Sequence, residues 1–409
     1  MAKQISNRKQ ELDFRKLGIS DELVKTLGKI GYEKPSLFQA ALIPIALEGY
    51  DVIGQAQTGT GKTAAFSIPI LEYIDMRIKA PQALILAPTR ELAVQVDREI
   101  KKLAGDIDVS STCLYGGKPI KTQINALKKG IQIVVGTPGR VIDHLQRGTL
   151  DPRGMWCVVL DEADRLLDIG FRPDIEKILR KCPDKRQTLL LSATVPDQIL
   201  GLVKRYMQSP KRINFSNKHV SAESIDQFYI NVPQSMKYEV LIKLLEREEP
   251  EQAIVFCRTK LGTERLYRKM IKSGLKANVG TIHGDMSQSA RDRMMSSFRE
   301  GKINYLVATD VVGRGIDISN ISHIINYDIP ELSEDYVHRV GRTGRMGKTG
   351  VAFSLVAPDQ GDALTGIEQT INKLLDKDPI QEYVDERVAK ENPKKAAPSR
   401  PKKKYRRAL

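Results

Sequence analysis

Ala56-Gln57-Thr58-Gly59-Thr60-Gly61-Lys62-Thr63 is the stretch whose chemistry is easiest to state. It lies between a short apolar run, Asp51-Val52-Ile53-Gly54, and a helix-like run, Ala64-Ala65-Phe66-Ser67-Ile68. A strand, a glycine-rich turn and a helix start are the context of a phosphate-binding loop. Gly59 and Gly61 let the backbone curl so that its N–H groups face an anion. The helix opening near Lys62 adds the positive end of its dipole. Lys62 can then reach the outer phosphates of a nucleotide, and the Thr63 hydroxyl can ligate Mg²⁺. The strict pattern begins with glycine, where this chain has Ala56.

Two further clusters suit the same chemistry. Asp161-Glu162-Ala163-Asp164 follows the apolar run Cys157-Val158-Val159-Leu160. A carboxylate at a strand end can hold Mg²⁺ opposite the phosphate loop, and the next can orient and deprotonate an attacking water. His338-Arg339-Val340-Gly341-Arg342-Thr343-Gly344-Arg345 places three arginines at three-residue spacing among glycines. Such guanidinium groups suit either the transition-state charge of a transferring phosphoryl group or RNA phosphates. Because this run lies in the second half of the chain, using it on a nucleotide held by the first half requires the halves to close.

The elements that must position these groups read as alternating strands and helices. Leu12 to Ile30 and Leu37 to Leu47 have helix-like apolar spacing, separated by Gly31-Tyr32-Glu33-Lys34-Pro35. Strands are expected at 51–54, 83–87, 111–115, 131–135, 157–160 and 188–191, then at 253–257, 277–281, 305–308, 323–327 and 351–355. Continuous apolar strands between helices imply mostly parallel sheets covered on both faces. The fold class is therefore α/β, two tandem domains of that kind. The expected boundaries are 1–210 for the first domain, 211–225 for a linker, 226–378 for the second and 379–409 for a basic disordered tail. A closing helix is expected over Gln360 to Leu375.

Length and charge agree. A chain of 409 residues is long for one core. Of the net +15, Arg387 to Leu409 carries ten Lys and Arg against one Glu, a net +9, which leaves +6 for the body. A basic chain with a basic tail suits a polyanion, nucleic acid first and an acidic membrane second. The tail is expected to tether structured RNA with steep salt dependence. The start of the chain has no secretory apolar segment, and nowhere is there an 18-residue apolar run. Cys113, Cys157, Cys182 and Cys257 are scattered, with no zinc spacing, which suits the cytoplasm. Pro88-Thr89-Arg90-Glu91, Gly116-Gly117 and Thr137-Pro138-Gly139-Arg140 follow strands and offer amides, hydroxyls and arginines to a phosphate backbone. Aromatic residues are only 6% of the chain, which disfavours base stacking as the main mode of recognition.

Taken together, these motifs resemble the DEAD-box ATP-dependent RNA helicases over about Phe14 to Ala357, in a bacterial form with a minimal core and a basic C-terminal tail. The resemblance implies two RecA-like domains and an RNA-dependent ATPase using ATP and Mg²⁺. It implies that Gln39 hydrogen-bonds adenine, in a segment with Tyr32 and Lys34, and that Phe14 packs on the base. Ala56, usual in the family, begins the phosphate loop through Gln57, Thr58, Gly59, Thr60, Gly61, Lys62 and Thr63. Thr63 and Asp161 position the metal, Glu162 activates water, and Asp317 touches the ribose. Arg342 and Arg345 would be the arginine fingers. Asp164, Ser192, Thr194 and His338 would couple hydrolysis to closure. RNA backbone contacts would fall on Arg90, Gly116, Gly117, Thr137 and Arg140, then on Arg258, Thr259, Gln288, Arg291 and Thr309. Gly313, before Arg314-Gly315, stands where the family has alanine. The implied activity is local unwinding of short duplexes or remodelling of ribonucleoprotein, with ribosomal or RNA-decay assemblies as family settings. An ATP-gated RNA clamp and a DNA translocase are the alternative readings.

Overall fold

The computed structural model describes residues 12–56, 60–215, 225–275, 277–310, 321–344 and 349–391. Two compact units divide the chain, the first built chiefly on strands β1–β7 and the second chiefly on β8–β14.

In the first unit β1 is Val52–Gln55, β2 Ala83–Leu86, β3 Ser111–Leu114, β4 Ile133–Gly136, β5 Cys157–Leu160, β6 Gln187–Ser192 and β7 Lys211–Asn214. They form one sheet in the order β3-β4-β2-β5-β6-β1-β7, with parallel pairing throughout. The period of two is visible in the packing. Ile133, Val135, Val159 and Leu191 enter one core, while Val134, Val158, Leu160 and Leu190 enter another. Both faces are thus covered, as unbroken apolar strands require. Each wholly buried Val, Ile or Leu contributes roughly 1.5–3 kcal/mol.

In the second unit β8 is Ile225–Asn231, β9 Ala253–Cys257, β10 Val279–Ile282, β11 Tyr305–Thr309, β12 His323–Asn326, β13 Gly350–Val356 and β14 Asp376–Lys377. The order is β10-β11-β9-β12-β13-β8-β14. Each strand holds the position of the first-sheet strand numbered seven lower.

Several expectations need correction. The helix-like run from Leu12 is broken at Gly18, whose φ of 85° ends a single turn over Phe14–Leu17 before the helix Asp21–Lys29 begins at its Ser20 cap. Lys211–Asn214, expected in the linker, is the edge strand β7. Only Ile213 of its four residues is buried, so apolar patterning could not reveal it. β8 likewise escapes notice because polar residues interrupt it, yet it pairs with β13 along seven residues. Part of the expected tail is ordered. Gln381–Glu391 is a helix with Val384 buried, and the Gln381 carboxamide both accepts from Asn231 N (2.7 Å) and donates to Asn231 O (2.9 Å). The closing helix spans Gly361–Ile371 and stops at Asn372, in the left-handed region. The tail beyond Glu391 and the linker over 216–224 lie outside the described residues.

Among the described residues no helix is long and apolar enough to cross a membrane.

Candidate active site

β1, β5 and β6 bring the predicted nucleotide groups to the carboxyl edge of the first sheet, where open parallel sheets bind ligands. Ala56 is buried, and its N–H donates to the Ser192 carbonyl at 3.0 Å. Lys62 opens the helix Lys62–Tyr73 and is buried, its Nζ donating to the Ala56 carbonyl at 2.9 Å. The loop's own backbone thus holds the ammonium that is expected to meet phosphate. Thr63 is half-buried on the next position of the helix. Gln57, Thr58 and Gly59 lie outside the described residues, as do Asp317, Gly313 and Arg345.

The segment expected to read adenine is hydrogen-bonded to this loop. Ser36 and Gln39 form a reciprocal capping box at the start of the helix Leu37–Leu47. Gln39 Oε1 accepts from Ser36 N at 2.8 Å, and its Nε2 donates to the Gly61 carbonyl at 3.2 Å. Ser36 Oγ donates to the Thr60 carbonyl at 2.8 Å. Gly61 has φ 80°, and a side chain there would run into the Gln39 carboxamide. Phe14 is buried in the core 6.5 Å from the Tyr32 ring, and Tyr32 donates its hydroxyl to Glu99. Lys34 is exposed.

Asp161 and Glu162 leave β5 as buried side chains. Burial pushes the Asp161 carboxyl up to about 7, against the pull of the Lys62 ammonium. Glu162 has φ 48° and ψ 56°, a left-handed backbone that costs roughly 1–3 kcal/mol for a non-glycine residue. Its Oε2 meets the buried Arg165 guanidinium at 3.4 Å. Arg165 carries no motif signature in the sequence beyond lying three residues after Glu162.

Asp164 ties this turn to the end of β6. Its N–H donates to Ser192 Oγ at 3.1 Å, while Oδ2 accepts from Ala193 N (3.0 Å), Thr194 N (2.8 Å) and Thr194 Oγ1 (3.1 Å). Charge-assisted bonds of this kind are roughly twice as strong as neutral ones. Gln55 Nε2 adds a bond to the Ala193 carbonyl at 3.1 Å.

The first group of predicted RNA residues also converges. β3, β4 and β2 are neighbours, and Gly136 pairs with both Leu86 and Leu114. Arg90 starts the helix Arg90–Ala104 after β2, and its guanidinium lies over Gly116 and Gly117 after β3. A side chain at Gly117, where φ is 87°, would strike it. Thr137 follows β4, and the Arg140 guanidinium donates to the Lys118 carbonyl at 3.2 Å.

In the second unit Arg258 and Thr259 follow β9, and Thr309 ends the adjacent β11, paired with Cys257. Thr259 caps the helix Lys260–Lys272 through Gly262 N at 3.0 Å. Gln288 and Arg291 stand on the helix Gln288–Arg299, which groups with the first unit, Gln288 donating to Asp292 at 2.9 Å. His338 and Arg342 are buried, and Arg342 Nε donates to the His338 carbonyl at 3.2 Å. Arg339 departs from the anion-seeking reading of its run. It is buried, forked onto Asp310 (2.5 and 2.7 Å), and it donates to Asn326 Oδ1 (3.0 Å) and the Asp328 carbonyl (2.7 Å). Spacing alone does not reveal that this arginine of the run is spent on Asp310.

A parallel sheet with a glycine loop at its carboxyl edge, followed by a second sheet of the same order, defines a tandem RecA-like, P-loop-type protein. Residues 36–201 match the DEAD/DEAH box helicase family model and residues 236–347 the helicase conserved C-terminal domain. The ATP-dependent RNA helicase CshA of Listeria monocytogenes is 48% identical over 90% of this chain and 70% of its own length. CshA of Geobacillus kaustophilus is 47% identical, over 89% of this chain and 78% of that protein. Among solved structures, S. cerevisiae Dbp5 bound to RNA and ADP BeF3 is 32% identical with a TM-score of 0.83, covering 93% of this chain and 99% of that one. Mss116p bound to ssRNA and AMP-PNP is 29% identical with a TM-score of 0.82, covering 93% and 82%. The chain belongs to the DEAD-box ATP-dependent RNA helicases, enzymes that hydrolyse ATP.

Proposed function

We propose that this chain is an RNA-dependent ATPase that separates short RNA duplexes or remodels ribonucleoprotein by ATP-driven closure of its two units. The observation that carries the reading is the Asp164 carboxylate, bonded to Ala193 and Thr194 from the same turn that carries Asp161 and Glu162. The groups that would meet the γ-phosphate and those that would report on closure are one hydrogen-bonded unit. The relatives solved with RNA and a nucleotide analogue support it.

ATP would lie on the loop 56–63, with adenine at Gln39 and the ribose at Asp317. Lys62 Nζ, now on the Ala56 carbonyl, turns to the phosphates. Thr63 and Asp161 would hold Mg²⁺, which when bound offsets the phosphate charge. Their hard oxygen donors fit it, the Asp161 carboxyl lying buried past the end of β5. Glu162 orients water and takes its proton as the water oxygen attacks the γ-phosphorus and the bond to ADP breaks. Arg342 and Arg345 meet the charge of the transferring group once the units close. RNA is held through its backbone by Arg90, Gly116, Gly117, Thr137 and Arg140 and by Arg258, Thr259, Gln288, Arg291 and Thr309. The setting we propose is the cytoplasm, with ribosomal or RNA-decay assemblies supplying the RNA, polyanions suited to a chain of net charge +15.

Steady-state ATPase with and without RNA, on wild type and Glu162→Gln, tests the reading. RNA should stimulate the wild type at least tenfold, and the substitution should lower kcat at least a hundredfold while nucleotide affinity stays within threefold. ATPase indifferent to RNA would exclude an RNA-gated closure.

A further inference from the structure

The second sheet repeats the strand order of the first, so β8 stands where β1 does and β12 where β5 does. The register agrees, since Ala253 of β9 pairs with His323 as Ala83 of β2 pairs with Cys157. Lys237 opens the helix after β8 as Lys62 opens the helix after β1. Asp328 lies two residues past β12 as Glu162 lies two residues past β5.

The two lysines differ in what they meet. Lys237 is fully buried, and its Nζ donates to the Tyr327 carbonyl at 2.9 Å and to Asp328 Oδ1 at 3.4 Å. Asp328 Oδ2 turns the other way and accepts the backbone N–H of Arg258 at 3.0 Å. The carboxylate therefore bridges a fixed cation to the first residue past β9. That residue's own side chain is half-exposed, with Glu331 at 3.1 Å as its partner. Beyond it Thr259 caps a helix whose N-terminal amides favour an anion.

We propose that Lys237 and Asp328, the second unit's counterparts of the phosphate-binding lysine and catalytic glutamate, act as positioning residues that set where the Arg258–Thr259 turn meets RNA. The chemistry of a nucleotide pair is turned inward: the lysine fixes the carboxylate, and the carboxylate fixes the loop. This rests on the reading of Arg258 and Thr259 as RNA contacts.

The test measures anisotropy of a fluorescein-labelled single-stranded oligouridylate with full-length protein and a non-hydrolysable ATP analogue, alongside ATP KM and Tm. Lys237→Gln and Asp328→Asn should each weaken RNA binding tenfold or more and leave ATP KM within twofold. The double variant should recover to within threefold of wild type. There the carboxamide at 328 accepts from the Arg258 N–H and donates to the carboxamide at 237, which donates to the Tyr327 carbonyl. Such recovery is coupling between neighbours rather than addition, and lost fold stability alone would not produce it at equal Tm. Lowered Tm with unchanged RNA affinity in the single variants overturns the proposal. If Asp328→Asn fails to fold, equal RNA affinity of Lys237→Gln and the double variant overturns it as well. Arg258→Ala separates the two readings. Weakened RNA binding there, with no effect of the single variants, overturns only the positioning role; no effect of Arg258→Ala overturns the RNA contact and the proposal together.

Discussion

Gln39 and Gly61, 22 residues apart in the chain, are locked together. The Gln39 carboxamide donates to the Gly61 carbonyl and occupies the space where a Gly61 side chain would begin. The residue expected to read adenine is thereby a strut of the phosphate loop. Gln39→Ala releases that strut and removes half of the capping box, at a cost of about 1 kcal/mol. We expect ATP KM to rise about tenfold. Steady-state ATPase at saturating RNA checks this, and an unchanged KM would show that the loop keeps its form without the strut.

Asp164→Ala leaves the Ala193 and Thr194 N–H groups without the carboxylate they now share. These donors are part-buried, so each one abandoned costs about 1 kcal/mol, the low end for an unsatisfied group. Because Glu162 and Lys62 stay in place, ATPase should fall no more than about threefold while duplex separation falls at least about tenfold, a ΔΔG‡ of about 1.4 kcal/mol. Parallel loss of both activities would mean that the turn serves hydrolysis itself.

Arg339 is a structural prediction. Removing its guanidinium leaves the part-buried Asp310 carboxylate and the buried Asn326 Oδ1 without their donor, and Arg339→Met should destabilise the second unit by roughly 1–3 kcal/mol for each acceptor abandoned. Arg339→Lys should recover little, because an ammonium cannot span both carboxylate oxygens. Denaturant melts of the three proteins decide it.

His144 and His323 give stability a pH dependence. Burial lowers both from the ordinary value of 6.5; at His323 the neighbouring Glu248 opposes the shift. A histidine that protonates more readily unfolded than folded supports the fold fully above the unfolded pKa near 6.5 and loses that support as pH falls through its lower folded value. Tm should therefore drop between pH 7 and 5. His144→Gln should shallow the drop, since a carboxamide can still meet Thr149 and Gln123 without taking a proton.

The candidate site is legible in the sequence because its groups lie at local spacing. A phosphate loop needs its glycines, lysine and threonine in one run, and Asp161, Glu162 and Asp164 share one turn after an apolar strand. β2, β4, β5 and β9 were equally plain, since strands buried on both faces must be apolar throughout. β7, β8 and β14 were not, because edge and polar strands are held by backbone pairing that leaves no apolar signature.

What the sequence by itself determined is therefore the inventory: two α/β halves, one candidate nucleotide loop, and a run of arginines between 338 and 345. Only the tertiary structure decided direction and partnership. It turned Arg339 inward onto Asp310 and closed Lys237 over Asp328. It set Gln39 against Gly61. The physical reason is that a charged side chain's role follows from burial and from the partner within 3 Å or so, and those partners come from strands distant in the chain. Spacing along the chain names the groups, and sheet order decides which of them meet.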